Sequence, residues 1–270
     1  MVSKRQSPRL KELSVFFPLY NEERNVTPLV EEGLKVFPQV AKKFEIILVN
    51  DGSSDSTKKV AASLTNKYKQ VRLVNQKNKG YGGAVKRGLK EAKYKWIFFS
   101  DGDLQFRLSE IKKFVPAAAA DKADLIIGYR RSRAEGAFRQ LIADALKVWN
   151  KELLGFPVFI KDIDCAFKLI KREVVEDMGK LKSDGAMVTT EFLLKAHNRG
   201  YRFKQLGVTH FKRKYGASTG NDLKVIRRAV TDTFILRQML LKRELPKRDI
   251  FGIKSLRPVF KFRPAQLRML

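Results

Sequence analysis

Through the first two-thirds of the chain, apolar positions come in short unbroken runs separated by longer amphipathic stretches. Leu13–Phe17, Glu45–Asn50, Val71–Asn75, Trp96–Ser100 and Asp124–Gly128 are too short for helices and are bounded by turn residues. Such runs read as buried strands. Helical patterns lie between them. The first is expected to begin near Thr27-Pro28, where Thr can cap and Pro suits the first helical position. The second follows Asp55, the third Gly82-Gly83 and the fourth Ser109. Strands alternating with helices predict an α/β fold, a mainly parallel sheet flanked by helices. A second part starts near Phe138, with a helix over Gln140–Leu153, a strand over Asp164–Ile170, a helix over Val188–Arg199 stopped by Gly200, and a strand over Phe203–Phe211. From Asn221 the character changes: one helix from Asp222 to about Arg243, then Pro246, Pro258 and Pro264 among basic and scattered apolar residues. The expected organisation is a basic N-terminal tail over 1–12, one domain over 13–220 and a basic appendage over 221–270.

Composition narrows the class. Of 270 residues, 44% are hydrophobic and 10% aromatic; this supports a sizeable core and excludes wholesale disorder. A single cysteine, Cys165, excludes an internal disulfide and fits a reducing compartment. The two histidines, His197 and His210, occur in different contexts, which argues against a histidine-built zinc centre. Cys165 and His197 read as structural. Charge changes the picture most: 56 Lys+Arg against 28 Asp+Glu leave a net +28. That field attracts nucleic acid, anionic lipid headgroups or phosphorylated substrates, or else serves solubility. No helix-turn-helix, zinc-finger or RNA-recognition signature is present, so a specific nucleic-acid partner is not expected. No stretch reaches the ~18 apolar residues that span a bilayer. Phe114–Tyr129 is broken by Asp121, Lys122 and Asp124, and Thr233–Leu241 by Arg237. The polar start, Met1–Lys11, does not read as a secretory signal, and membrane contact is expected to be peripheral.

Open parallel sheets bind ligands at the carboxyl ends of their strands, and here three of those ends carry carboxylates. They are Pro18-Leu19-Tyr20-Asn21-Glu22-Glu23, Asn50-Asp51-Gly52-Ser53-Ser54-Asp55-Ser56-Thr57 and Ser100-Asp101-Gly102-Asp103-Leu104-Gln105. Asp101 and Asp103 flank a glycine after a hydrophobic strand. They can aim oxygens at one hard cation, Mg²⁺ or Mn²⁺, or form an ordinary Asp-Gly turn. Asp55 or Ser53 is expected to cap the following helix. Asn78-Lys79-Gly80-Tyr81-Gly82-Gly83-Ala84 is a glycine-rich loop opening a helix; it allows close approach of backbone to phosphate but is neither a Walker loop nor a dinucleotide fingerprint.

In order and spacing these segments resemble family-two glycosyltransferases of the GT-A fold, particularly dolichol-phosphate mannose synthases and related polyprenyl-phosphate glycosyltransferases. Phe17–Glu23, Val49–Thr57, Asn78–Ala84 and Asp101–Gln105 each match a family motif. Downstream, Asp164-Cys165-Ala166-Phe167-Lys168, the stretch from Glu191 to Tyr201, and Arg213-Lys214-Tyr215-Gly216-Ala217-Ser218 are similar too, so the likeness covers roughly 13–220. The resemblance implies that Pro18, Tyr20, Glu22 and Asp51 line the nucleotide pocket, with Asp101 shared between donor and metal. It implies that Asp101, Asp103 and Gln105 hold a metal–diphosphate. Arg130 and Arg131 fall where relatives carry an acceptor loop, and Arg213 and Ser218 where they grip phosphate. Two departures stand out: Asn50 where many relatives have Asp, and no C-terminal transmembrane helices like those of some relatives.

The expected activity is therefore inverting transfer from a GDP-mannose- or UDP-glucose-type donor to a lipid-linked phosphate, by a protein peripherally attached to the cytoplasmic side of a membrane. The alternative acceptor is a hydroxyl in glycan or polysaccharide synthesis. A hydroxyl needs a general base, whereas a phosphate is already ionised. Glu191 is the base candidate, or else a carboxylate favoured by a helix N-terminus. Arg130, Arg131, Arg133, Arg139, Lys212, Arg213 and Lys214 are candidate phosphate partners. Catalytic roles are expected for Asp103, Glu191 and Arg213. In the appendage, Phe251, Ile253, Leu256, Val259, Phe260, Phe262 and Leu267 interleave with Lys254, Arg257, Lys261, Arg263 and Arg268. That pattern suits an anionic membrane surface, a membrane-anchoring partner protein, or packing on the chain's own domain. A nucleic-acid-binding protein and a catalytically silent scaffold of the same fold are the remaining readings, and the carboxylate set argues against both.

Overall fold

Strands β1 (Leu10–Leu19), β2 (Ala41–Asp51) and β4 (Trp96–Ser100) are buried through their carboxyl-terminal halves, as their unbroken apolar runs require. Alternate residues point to opposite layers. Leu13, Val15, Phe17 and Leu19 join Ile46, Leu48, Trp96 and Phe98 in one apolar cluster. Phe16 joins Ile47, Val49, Ile97 and Phe99 in the other, where the Phe16 and Phe99 rings stack 5.1 Å apart. The computed structural model describes residues 8–131, 148, 153–155, 159–183, 185–216 and 231–238.

The first cluster lies under α1 (Glu23–Val40), α2 (Thr57–Lys67), a 3-10 turn (Leu108–Lys113) and α4 (Val115–Ala119). The second lies under α3 (Tyr81–Glu91), α5 (Arg172–Asp177) and α6 (Met187–Asn198). With β3 (Val71–Gln76), β5 (Leu125–Arg130), β6 (Phe167–Lys171) and β7 (Phe203–Val208), the described strands form one sheet in the order β3-β2-β1-β4-β6-β5-β7. β6 runs antiparallel to β4 and β5, and the other pairs are parallel. The sheet grows outward from β1 first on one side, then on the other. The carboxyl ends of β1 and β4 therefore flank a topological switch point, where a crevice opens.

Several boundaries differ from the sequence reading. Helix α1 starts at Glu23, so Thr27-Pro28 lies inside it. Its first free N–H groups are met from across the sheet: Glu22 N donates to Thr57 Oγ1 (2.8 Å) and Glu23 N to Asp55 Oδ2 (3.2 Å). Such long-range capping leaves no local signature. Helix α3 starts at Tyr81, before Gly82-Gly83, because the preceding loop is tied down by Asp51. The fourth helix is a 3-10 turn restarted as α4 with Pro116 in its first turn. The strand from Phe203 ends at Val208, and His210 then makes an isolated bridge to Phe106. Most of Gln140–Leu153 and of the appendage lies outside the described residues. Residues 231–238 are helical, with Leu236 buried in the second cluster and Thr233 Oγ1 3.8 Å from Met187 Sδ.

Asp124 pins the far half of the sheet. Its carboxylate accepts from Lys171 Nζ (2.7 Å), Arg202 Nη2 (2.8 Å), Arg202 Nε (3.0 Å) and Arg202 N (3.0 Å), joining the starts of β5 and β7 to the end of the antiparallel β6. Asp124→Ala is expected to cost about 2 kcal/mol in urea unfolding, below the ~3–5 kcal/mol of a fully buried pair because Arg202 is partly exposed. Despite burial, hydrogen bonds from Arg202 and Lys171 hold the Asp124 carboxyl below the usual aspartate range. The contribution is thus complete above about pH 5 and fades as pH falls below about 4. Equal stability of variant and parent at pH 7 would contradict it.

Candidate active site

Three strand ends converge on the crevice and are stapled together by side chains. Asn21, held at φ 56°, donates its N–H to Ser53 Oγ (3.0 Å), while its Oδ1 accepts from Ser54 N (2.8 Å). Asp55 accepts from Thr57 N (2.9 Å) beside the start of α2, but the cap position is Ser56, which makes no side-chain cap bond, so neither Asp55 nor Ser53 is the cap. Gly52 adopts φ 69°, and a Cβ there would lie 2.7 Å from Asn78 N, so the turn needs glycine. Asp51 is buried, and its Oδ1 accepts from Gln76 Nε2 (2.7 Å) and Lys79 N (2.9 Å). The carboxylate after β2 thereby holds the glycine-rich loop after β3. Pro18 pairs with Val49 inside the sheet, Glu22 is buried, and Tyr20 is 46% exposed at the crevice rim.

After β4 the chain turns at Gly102, where a Cβ would overlap Leu19 and sit 3.1 Å from Pro18 O. Only glycine lets the two aspartates press against the end of β1. Asp103 is 7% exposed and accepts from Gln105 N (3.1 Å). Asp101 has its Oδ1 buried without a hydrogen-bond partner. Burial, then the neighbouring Asp103 charge, push the Asp101 carboxyl up to about 7. Burial also raises Asp103 and Glu22. Three acids with raised pKa values mark a site short of positive charge. Lys168 supplies part of it from behind: fully buried, it donates to Ile163 O (3.1 Å) and Cys165 O. A divalent cation fits this donor set. Among the described residues no group of three or more His, Cys, Asp or Glu side chains is placed to hold a metal ion by itself, so such an ion would complete its shell with water and phosphate oxygens.

The segment after β7 folds back over the carboxylates. Phe211 N donates to Gln105 O (2.8 Å), and Gln105 Nε2 donates to Phe211 O (2.8 Å). Arg107 lies 4.7 Å from the Phe211 ring centroid. This clasp delivers Arg213, whose Nε donates to Tyr215 O (2.7 Å). Its Nη2 pairs with Glu22, and its Nη1 lies 3.6 Å from Asp103 Oδ2. One guanidinium thus bridges the acids after β1 and β4.

Residues 14–179 match the family model for glycosyl transferase family 2. The chain belongs to glycosyl transferase family 2. It is 27% identical over 221 residues to undecaprenyl-phosphate 4-deoxy-4-formamido-L-arabinose transferase of Proteus mirabilis, covering 81% of this chain and 65% of that one. It is 30% identical to dodecaprenyl-phosphate galacturonate synthase of Rhizobium johnstonii, covering 77% of this chain and 61% of that one. It is 32% identical to a dolichyl-phosphate beta-glucosyltransferase of Trichomonas vaginalis, covering 58% and 50% respectively. The chain therefore spans about half to two-thirds of the length of these relatives. Glucosyl-3-phosphoglycerate synthase from Mycobacterium tuberculosis, solved with Mn²⁺, UDP and glucosyl-3-phosphoglycerate, superposes with a TM-score of 0.61 at 20% identity, covering 84% of this chain and 80% of that one. At that identity the likeness establishes the fold, a GT-A-type sheet.

In this family 2 chain the crevice brings together Glu22, Asp103 and Arg213 directly, with Asp101 and Asp51 on the adjoining loops. Other expected site residues are engaged elsewhere. Arg130 is tied to Asp162, Nε to Oδ2 at 2.7 Å and Nη2 to Oδ1 at 2.9 Å, and its backbone N donates to the same carboxylate (3.2 Å). Arg131 is exposed, and its side chain lies along Gly207. The Gln105 amide N–H serves the clasp. Glu191 is 1% exposed and accepts from Lys182 N (2.9 Å), Ser183 N (2.8 Å) and Lys195 Nζ (2.5 Å). Against the effect of burial, those bonds hold its carboxyl below the usual range. Ser218, Arg133 and Arg139 lie outside the described residues. Cys165 is buried, its thiol pushed up to about 12 by burial. Tyr81, Lys168 and Asp162 are residues of this region that the sequence alone does not single out. Tyr81 carried one signal, an aromatic between glycines at a helix start; Lys168 and Asp162 carried none outside their motif.

Proposed function

We propose that this chain transfers a sugar, with inversion, from a nucleoside-diphosphate sugar to a polyprenyl or dolichyl phosphate. The observation that carries the reading is the electron-rich pocket of Glu22, Asp101 and Asp103 at the switch point, with a single arginine laid across it. Asp101 and Asp103 would hold Mg²⁺ or Mn²⁺, which would neutralise charge on the departing diphosphate. Pro18, Tyr20, Glu22 and Asp51 would receive the base and ribose, and the stapled loops keep that pocket rigid. Arg213 would leave its carboxylates for phosphate, a planar fork suited to either anion. Ser218, Arg130 and Arg131 are proposed to act on the acceptor side, Arg130 through the orientation fixed by Asp162.

The state of Glu191 favours a phosphate acceptor over a hydroxyl. A hydroxyl needs a carboxylate free to take its proton. Both Glu191 oxygens are already engaged by two backbone N–H groups and an ammonium, and its affinity for a proton is lowered. A phosphate acceptor needs no base; its oxygen attacks the anomeric carbon while the bond to the diphosphate breaks, leaving positioning and charge stabilisation as the protein's task. The names of the three relatives compared above, which are polyprenyl- or dolichyl-phosphate transferases or synthases, support the same choice. Such an acceptor resides in a bilayer. No helix among the described residues is long and apolar enough to cross one, and the net +28 would favour contact with an anionic cytoplasmic surface.

The test is donor consumption with Mn²⁺ or Mg²⁺ across several nucleotide sugars, with and without a polyprenyl phosphate. Turnover should appear only with the lipid phosphate and the metal. Product linked solely to hydroxyl groups would refute the acceptor assignment.

A further inference from the structure

Gln105 holds the segment that carries Arg213 over the carboxylates, and it does so with three polar groups. Its N–H donates to Asp103 Oδ1 (3.1 Å), its carbonyl accepts from Phe211 N (2.8 Å), and its Nε2 donates to Phe211 O (2.8 Å). Backbone and side chain thus grip Phe211 at both its N–H and its carbonyl, across 106 positions of sequence. Neighbouring residues join the two segments as well. The Phe106 and His210 rings lie 5.1 Å apart, and Thr209 N donates to Glu110 Oε1 (3.3 Å). Arg213 follows Phe211 closely, and its side chain is fitted to its own turn. Gly216 sits at φ 82°, and a Cβ there would lie 2.9 Å from Arg213 Nη2.

We infer that Gln105 is a positioning residue for Arg213: its amide N–H fixes the carbonyl of Phe211, and that carbonyl fixes where the arginine stands against Glu22 and Asp103. The Phe211 carbonyl belongs to the peptide unit that leads on to Lys212 and Arg213. Pairing of Phe211 N alone would leave that unit free to turn about ψ, and the bond from Nε2 removes the freedom. Arginine keeps considerable rotamer freedom even on a fixed backbone, so any swing of the backbone adds to the error in placing its guanidinium. Misplacing a reacting group by about 1 Å costs about 10²-fold in rate. Gln105 also holds Asp103 through its own N–H, so carboxylate and arginine are set relative to each other through one residue. This is a different task from the metal–diphosphate contact that the family resemblance implies for Gln105. The inference rests on the proposed phosphate role of Arg213.

Gln105→Met keeps the length of the side chain and removes its polar end. Together with Arg213→Ala and the double variant it completes a double-mutant cycle that is read twice. Turnover with Mn²⁺, nucleotide sugar and polyprenyl phosphate should fall about tenfold when Arg213 is present. In the Arg213→Ala background the same substitution should cost less than about twofold, because the residue it positions is gone. An equal loss in both backgrounds would overturn the inference, since a metal ligand or a purely structural residue acts without Arg213. The second reading is the Tm of the four proteins without ligand, where the shift of the double variant should differ from the sum of the single shifts. Additive shifts would overturn the inference as well. Absence of turnover by the wild-type chain would refute the proposed function, and the Tm cycle then decides whether Gln105 holds Arg213.

Discussion

Replacing Asp103 by Ala should reduce metal-dependent turnover by about 10²–10³-fold, in the range seen when one group that stabilises developing charge is removed. The fold should remain intact, because the side chain contributes little to it. Asp103 accepts one local N–H, from Gln105, and its nearest cation is at 3.6 Å. Against those gains stand its burial, which holds its own carboxyl above the ordinary range, and the charge it presents to Asp101, whose carboxyl burial and that charge push up to about 7. Removing one of two buried like charges relieves that repulsion, so the variant's Tm should equal or exceed the parent's. A site built for function at the expense of stability has this signature. The measurements are a Mn²⁺ titration of donor turnover and a thermal melt on the same preparations. Full activity would refute the metal assignment, and a large fall in Tm would mean that Asp103 has a structural task the geometry does not reveal.

The fold was legible because its strands are buried on both faces, which leaves apolar runs without alternation. Trp96–Ser100 was read to the residue, and Leu13–Phe17 and Glu45–Asn50 lie inside longer observed strands. The carboxylates were legible for a related reason: Asp51, Asp101 and Asp103 directly follow such runs, where a turn alone has no need of buried charge. What escaped depends on distance. The start of α1 is set by Thr57 and Asp55, more than thirty residues away in sequence, and the local Thr27-Pro28 signal lost to them. Glu191 looked like a free carboxylate near a helix start. The loop that engages it, Lys182-Ser183, is polar and irregular, and nothing in its composition announces two N–H groups aimed at one acid. Arg130 likewise stood next to a good strand, but its partner Asp162 lies across a segment of some thirty residues.

Arg213→Ala should separate two effects that a simple loss of function would merge. Its guanidinium pairs with Glu22 and approaches Asp103, occupying charge that a cation would otherwise neutralise. In the absence of donor, Arg213 and a divalent ion compete for the same carboxylates, and like charges so placed repel. Removing the arginine should therefore tighten Mn²⁺ binding to the donor-free protein, by several-fold if Asp103 is freed as the 3.6 Å approach implies. Turnover should move the opposite way and fall by about 10²-fold, because the arginine is then missing from the phosphate it is proposed to grip. Arg213→Lys should restore part of the competition and little of the turnover, since a point charge lacks the planar fork. Mn²⁺ binding by EPR and steady-state turnover read the two arms separately. Weaker Mn²⁺ binding in the Ala variant would show that Arg213 supports the metal site rather than standing in for the ion. Unchanged turnover would remove it from the phosphate site.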